Sequence, residues 1–184
     1  MSGLIIPYRG VLPRIAESVF VAATATVIGD VEIGADSGVW FAVVLRGDVS
    51  EIRVGEGTNI QDGAIVHVSS GRIGSSVRLG TYIGSGVTVG HLAVLHACAI
   101  GDDAFIGMRA TVMDGAVVED GAMVAAGALV TPGKRVKSGE LWAGSPARRL
   151  RGLSPDDLGG MADSAAHYIE LAREYRKAAG QDHD

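Results

Sequence analysis

The chain has 184 residues, with 16 Lys and Arg against 21 Asp and Glu, giving a net charge of −5 and a pI of about 5.5. That length suits one domain with an appendage and a sizeable core, and the acidic balance argues against nucleic acid or an anionic membrane as a partner. Hydrophobic residues reach 47% but aromatic ones only 5%, with 27 glycines, so the core must be narrow and filled by aliphatic side chains.

The opening MSGLIIPYRG lacks the basic leader, long apolar run and cleavage site of a secretory signal. A single cysteine, Cys98, rules out an internal disulfide framework. Together these predict a cytoplasmic protein. The uncharged stretch Ile83–Gly101, IGSGVTVGHLAVLHACAIG, is long enough to span a bilayer. Its glycines and two histidines, and the recurrence of the same composition elsewhere, assign it to a soluble fold instead.

From Val21 onward aliphatic residues recur every six positions: Val27, Ile33, Val39 and Leu45. After a slip the series resumes at Val54, Ile60 and Val66, and after a second interruption at Ile83, Val89 and Leu95. A five-residue step leads to Ile100, and sixes then run through Ile106, Val112, Val118, Val124 and Val130 to Val136. A small or slim residue sits four places after each aliphatic (Ala25, Val31, Ser37, Ala64, Ala93, Ala99, Ala110 among them). Glycine often follows the aliphatic directly, as at Gly34, Gly55, Gly84 and Gly101. This pattern predicts a short strand and a tight corner, repeated, with glycine serving the turn. Three strands make one triangular coil, and stacked coils pair as parallel strands. Unrelated strands in a sandwich would not hold one register over most of the chain.

After Trp142 the repeat stops at AGSPARRLRG, dividing the chain into a β-helix domain (1–147) and a C-terminal helix that docks on it (148–184). Ser154 reads as a helix cap, followed by Pro155 and the acids Asp156 and Asp157. Gly159–Gly160 weakens the first turn, which moves the expected start of the main helix to about Met161. Leu158, Met161, Ala165, Tyr168, Ala172 and Tyr175 form its docking stripe. The tail QDHD is expected to fray.

Within this frame His67 and His96 each follow an inward aliphatic, so both side chains point outward. If residues 68–82 bulge, Val66 to Leu95 is one full coil, and the two histidines lie one rung apart, about 4.8 Å. His91 sits on the neighbouring strand near a corner, out of reach within one chain, so an adjacent subunit would have to supply it. Three imidazoles and a water make an open, catalytic zinc site; imidazole equally accepts iron or cobalt. His167 and His183 read as ordinary surface residues, Trp40 and Trp142 as packing, and Cys98 as a packing thiol near the site.

The combination of RGD at Arg46–Asp48, NIQD at Asn59–Asp62, IVHV around His67, and VTVGHLAVLHACAIG followed by IGM at Ile106–Met108 resembles the gamma-class carbonic anhydrases. The likeness is greater still to their short bacterial and archaeal relatives in the hexapeptide transferase family. It covers nearly the whole chain. It implies an all-β, left-handed parallel β-helix with a C-terminal α-helix, assembled as a homotrimer with zinc at each subunit interface. His67 and His96 would come from one subunit and His91 from the next. Gln61 would hydrogen-bond metal-bound hydroxide, which hydrates carbon dioxide to bicarbonate. Arg46 and Asp62 would pair across the interface, with Asp48 and Asn59 as supporting polar residues and Tyr168 near the site. The sequence departs from that family at Val49, where a glutamate is expected, and in the loop VSSGRIGSS, where acids are expected. That leaves no evident proton shuttle and speaks against fast turnover.

Two other classes remain. A hexapeptide acyltransferase, or a metal-dependent thioesterase, would use the repeat and one histidine. A non-catalytic metal-binding trimer would hold metal without turnover.

Overall fold

A computed structural model describes residues 3–70 and 79–180. Residues 71–78, which take in all but the first three residues of the loop VSSGRIGSS (68–76), and the tail QDHD with His183 lie outside those residues.

The chain winds into a parallel β-helix whose coils each contribute one strand to each of three faces, about seven coils in all. The first face stacks Phe20–Val21, Gly38–Val39, Asn59–Ile60, Thr88–Val89, Phe105–Ile106, Met123–Val124 and Glu140–Ala143. The second begins at Leu4–Ile6 and includes Ile65–His67 and Val94–His96. Thr26–Ile33 and Val44–Val54 run unbroken from the second face onto the third, which explains the slip in the repeat after Leu45. The five-to-six-residue aliphatics point inward, and Val27, Leu45, Val66, Leu95, Val112 and Val130 are all fully buried.

Two expectations about the corners change. The glycines after the inward aliphatics do not supply the turn. Left-handed backbone falls three residues before the next aliphatic instead, at Asp36, Leu92, Asp103 and Arg109, with φ between 55° and 60°. Gly34 and Gly101 are needed because the next coil passes so close. A Cβ there would lie 2.8 Å from the Glu56 nitrogen and 2.6 Å from the Asp120 nitrogen, below any normal contact. The small corner residue is set by its distance to the following aliphatic, two positions on. After the five-residue step it is therefore Cys98, 3% exposed, that fills the corner, while Ala99 turns outward.

The last coil strand, Glu140–Ala143, is covered by Arg148–Gly152, which returns antiparallel and was not foreseen. Helix α1 (Pro155–Ala178) then starts six residues earlier than expected from Gly159–Gly160. The cause is a complete capping box: the Asp157 amide donates to Ser154 Oγ at 3.2 Å, and the Ser154 amide donates to Asp157 Oδ2 at 2.7 Å. Arg151 also pairs with the Asp157 carboxylate. These contacts offset the roughly 1 kcal/mol cost of each helical glycine. α1 lies on the first face, packing chiefly on the strands at 20–21, 38–39, 59–60 and 88–89. Met161 and Ala172 are buried, and Trp40 meets Tyr168 and Tyr175 with ring centroids 5.3 Å apart. Leu158 stays exposed. No helix among the described residues is long and apolar enough to cross a membrane.

Replacing Ser154 by Ala removes one side of the capping box. Its expected loss of about 1 kcal/mol should raise amide exchange over residues 155–160 roughly fivefold. Hydrogen exchange read by mass spectrometry checks this, with the β-helix amides as the internal reference.

Candidate metal centre

The coil register brings the first two histidines together. Ile65–His67 pairs in parallel with Val94–His96, with His67 directly opposite His96. His67 Nδ1 lies 3.2 Å from His96 Nε2. The antiparallel bridge between Ser69 and Leu79 closes the base of the intervening segment, so the coil resumes in register at Thr81.

Each outer nitrogen rests on a carboxylate. His67 Nε2 is 3.1 Å from Asp48 Oδ1, and the Asp48 carboxylate also accepts from Arg46. His96 Nδ1 is 2.6 Å from Asp114 Oδ1. Burial opposes ionisation of Asp48, but the hydrogen bonds from Arg46 and His67 outweigh it and hold its pKa below the ordinary value. Burial likewise works against Asp114 ionisation, and hydrogen bonds from His96 and Ser69 reverse it. Both are therefore carboxylates at neutral pH, and each accepts a hydrogen bond from its histidine. Burial lowers the His67 pKa, favouring the neutral ring that a metal requires.

The consequence is electrostatic. With both outer nitrogens donating, the two inner nitrogens face each other with lone pairs at 3.2 Å. That arrangement is repulsive unless a cation or an extra proton sits against both. Two nitrogens on one tetrahedral ion with bonds of about 2.0–2.1 Å stand roughly 3.3–3.4 Å apart, close to what the chain holds ready. The donor set thus fits a divalent metal.

His91 completes the pattern without joining the pair. Its Nδ1 lies 2.9 Å from Asp62 Oδ2, so all three candidate ligands carry a carboxylate on one nitrogen, the arrangement usual behind metal-bound histidine. His167 instead meets the Tyr168 ring edge. Among the described residues no three His, Cys, Asp or Glu side chains of one chain converge on a common point. The chain alone therefore presents two facing imidazoles and a third directed elsewhere.

The polar residues sort similarly. Gln61, 6% exposed, donates from Nε2 to Asn59 Oδ1 at 3.1 Å, and Asn59 Nδ2 donates to Thr88 Oγ1 at 2.9 Å. This buried relay fixes the Gln61 amide. Tyr168 has its pKa raised by burial and by the nearby Asp62 charge, which places it on the His91 side. Arg46 and Asp62 have separate partners within the chain. Gly47, between Arg46 and Asp48, has no room for a side chain: a Cβ would fall 2.5 Å from the Asp30 carbonyl oxygen. Asp114 was missed by the sequence reading, yet one coil is 18 residues and 96 plus 18 is 114. A surface depression of about 760 Å³ beside Arg14, Glu32 and Arg53 is lined by no histidine.

Residues 97–132 match the family described as bacterial transferase hexapeptide (six repeats). Gamma carbonic anhydrase 2, mitochondrial, from Arabidopsis thaliana is 53% identical over 161 residues, 88% of this chain. The chain spans 58% of that protein's length. The crystal structure of a hexapeptide transferase family protein from Anaplasma phagocytophilum is 48% identical, with a TM-score of 0.86 over 94% of this chain and 98% of that one. A putative acetyltransferase from Bacillus cereus is 36% identical, with a TM-score of 0.91 over 97% and 99% of the two chains.

Cys98 follows His96 by two residues but is buried in the core corner, 3% exposed, and burial pushes its thiol up to about 12, leaving no thiolate at neutral pH. A disulfide-exchange reagent at pH 8 should detect no thiol in the folded protein and one per chain in guanidinium. Fast labelling of the native form would contradict the closed corner.

Proposed function

The chain belongs to the hexapeptide-repeat family and is gamma carbonic anhydrase-like within it, and from that premise we propose that it is a metal-dependent carbonic anhydrase acting as a homotrimer. The observation that carries this reading is the facing pair, His67 Nδ1 and His96 Nε2, each ring anchored through its other nitrogen. His91 of a neighbouring subunit supplies the third ligand, since the chain's own His91 does not reach the pair. Zinc, iron and cobalt all suit three imidazoles.

When bound, the metal supplies Lewis acidity that brings the pKa of water towards about 7. The chain's own residues do the rest. Asp48, Asp62 and Asp114 fix the ring orientation and keep each coordinating nitrogen deprotonated. Arg46 neutralises Asp48, and in a trimer it also faces the neighbour's Asp62, as the family resemblance implies. Gln61, held by Asn59, presents an amide that orients the attacking oxygen and later receives the developing oxyanion. Tyr168 closes the His91 side beside Asp62. Val49 offers no proton acceptor, so protons must leave to the buffer.

Acyl transfer is the rival reading, favoured by the Bacillus cereus acetyltransferase likeness. A histidine on a carboxylate also suits a general base, but that role needs one imidazole and accounts for neither the facing pair nor Gln61.

Metal content decides between them. Protein purified without tag or chelator should hold about one metal per three-imidazole site, and His96→Ala should lose it. Asp114→Asn should keep the fold while weakening metal affinity by roughly 10–100-fold in chelator competition. No metal after reconstitution would sink the carbonic anhydrase reading and turn attention to acyl thioesters. Carbon dioxide hydration should also speed up with imidazole buffer concentration, as expected where proton release lacks an internal shuttle; insensitivity to buffer would mean another residue carries the proton.

A further inference from the structure

The downstream half of the first face carries a second feature. α1 packs chiefly on the strands at 20–21, 38–39, 59–60 and 88–89, upstream of those at 105–106, 123–124 and 140–143. There Phe105, Met108, Met123, Ala125 and Leu141 enclose a cavity of about 350 Å³. Its walls are apolar, and its polar groups are Gln61 and His91. Cavities that hold organic ligands begin at about 300 Å³ and combine apolar walls with a few placed polar groups. Carbon dioxide, three atoms in a line, needs a small fraction of that space.

We propose that this cavity binds the apolar tail of a short straight-chain carboxylate or acyl group, with the carboxyl end at the Gln61 amide, beside His91. The proposal deepens the metal-site reading by giving the site a substrate class larger than carbon dioxide. Three observations select this ligand. The Gln61 amide makes only the Asn59 hydrogen bond among the described residues, so a second N–H is available for an oxygen. His91 lines the same cavity with Nδ1 committed to Asp62, leaving Nε2 for the metal and the Gln61 amide for the carboxyl end. The walls include Met108, Met123 and Leu141, and the two methionines are flexible thioethers that adapt to an alkyl chain. No cationic side chain lines the cavity, which disfavours a dianionic ligand such as a phosphate ester.

The test uses the metal-loaded protein and a series of acetate, propionate, butyrate and hexanoate. Calorimetric affinity should rise about threefold to fourfold per methylene, as each buried CH₂ leaves water. With methyl-labelled methionine, hexanoate should shift the Met108 and Met123 signals and leave the other three of the five methionines in place. Ala125→Leu, which fills the wall, should flatten the chain-length series. Affinity independent of chain length, or methyl shifts elsewhere, overturns the proposal. So does an unmoved Met108 and Met123 pair at saturating hexanoate, the result expected if a neighbouring subunit already occupies the cavity. The series reads the cavity alone. Its failure leaves metal binding and hydration untouched, and a protein that takes up no metal on reconstitution yet still shows the chain-length trend would discard the carbonic anhydrase reading and keep this one.

Discussion

The parallel pairing of Ile65–His67 with Val94–His96 is the constraint on which the candidate site depends. Twenty-nine positions separate the two histidines, yet one strand spacing separates their rings. Any other closure of the segment between Val68 and Thr81 would rotate His96 off the second face. The repeat on either side makes that closure stable, because the inward aliphatics Val66 and Leu95 must remain in the same narrow core. Stability and site geometry therefore share one cause. The stacking that buries the aliphatics also sets the rung on which the imidazoles meet.

Stacking explains the second layer of the site as well. Asp48 comes from the coil before His67 and Asp114 from the coil after His96. The facing rings are thus clamped from both sides along the helix axis, each by a carboxylate whose charge is preserved by its own hydrogen bonds. Gly47 permits this on the upstream side, since any side chain there would collide with Asp30. The result is a small region where three charges and two facing rings are ordered before any ligand arrives. Such pre-ordering lowers the cost of binding a cation that would otherwise have to gather its ligands.

Much of this was legible in order of residues alone. The six-residue period gave the coil and the faces, and the count from Val66 to Leu95 placed His67 beside His96. His91 was correctly left apart, since it lies on the first-to-second-face corner rather than on that rung. Local chemistry misled where it competed with long-range contact. The glycines after the inward aliphatics looked like turn residues, but they answer to the neighbouring coil's backbone. The helix start looked weak at Gly159–Gly160, but Ser154, Asp157 and Arg151 secure it together. Asp114 went unnoticed because nothing in its own neighbourhood marks it; only its distance of one coil from His96 does.

The sequence by itself determined the period, the inward sense of the repeating aliphatics, the outward sense of His67 and His96 and therefore the candidate ligands, because alternation and a repeated corner length follow from local backbone geometry. The tertiary structure alone decided which nitrogen of each histidine is free, which carboxylate holds it, and where α1 stops along the first face. Those depend on distances between residues one or more coils apart, and on how far a capped helix can follow an apolar surface, quantities that no local pattern encodes.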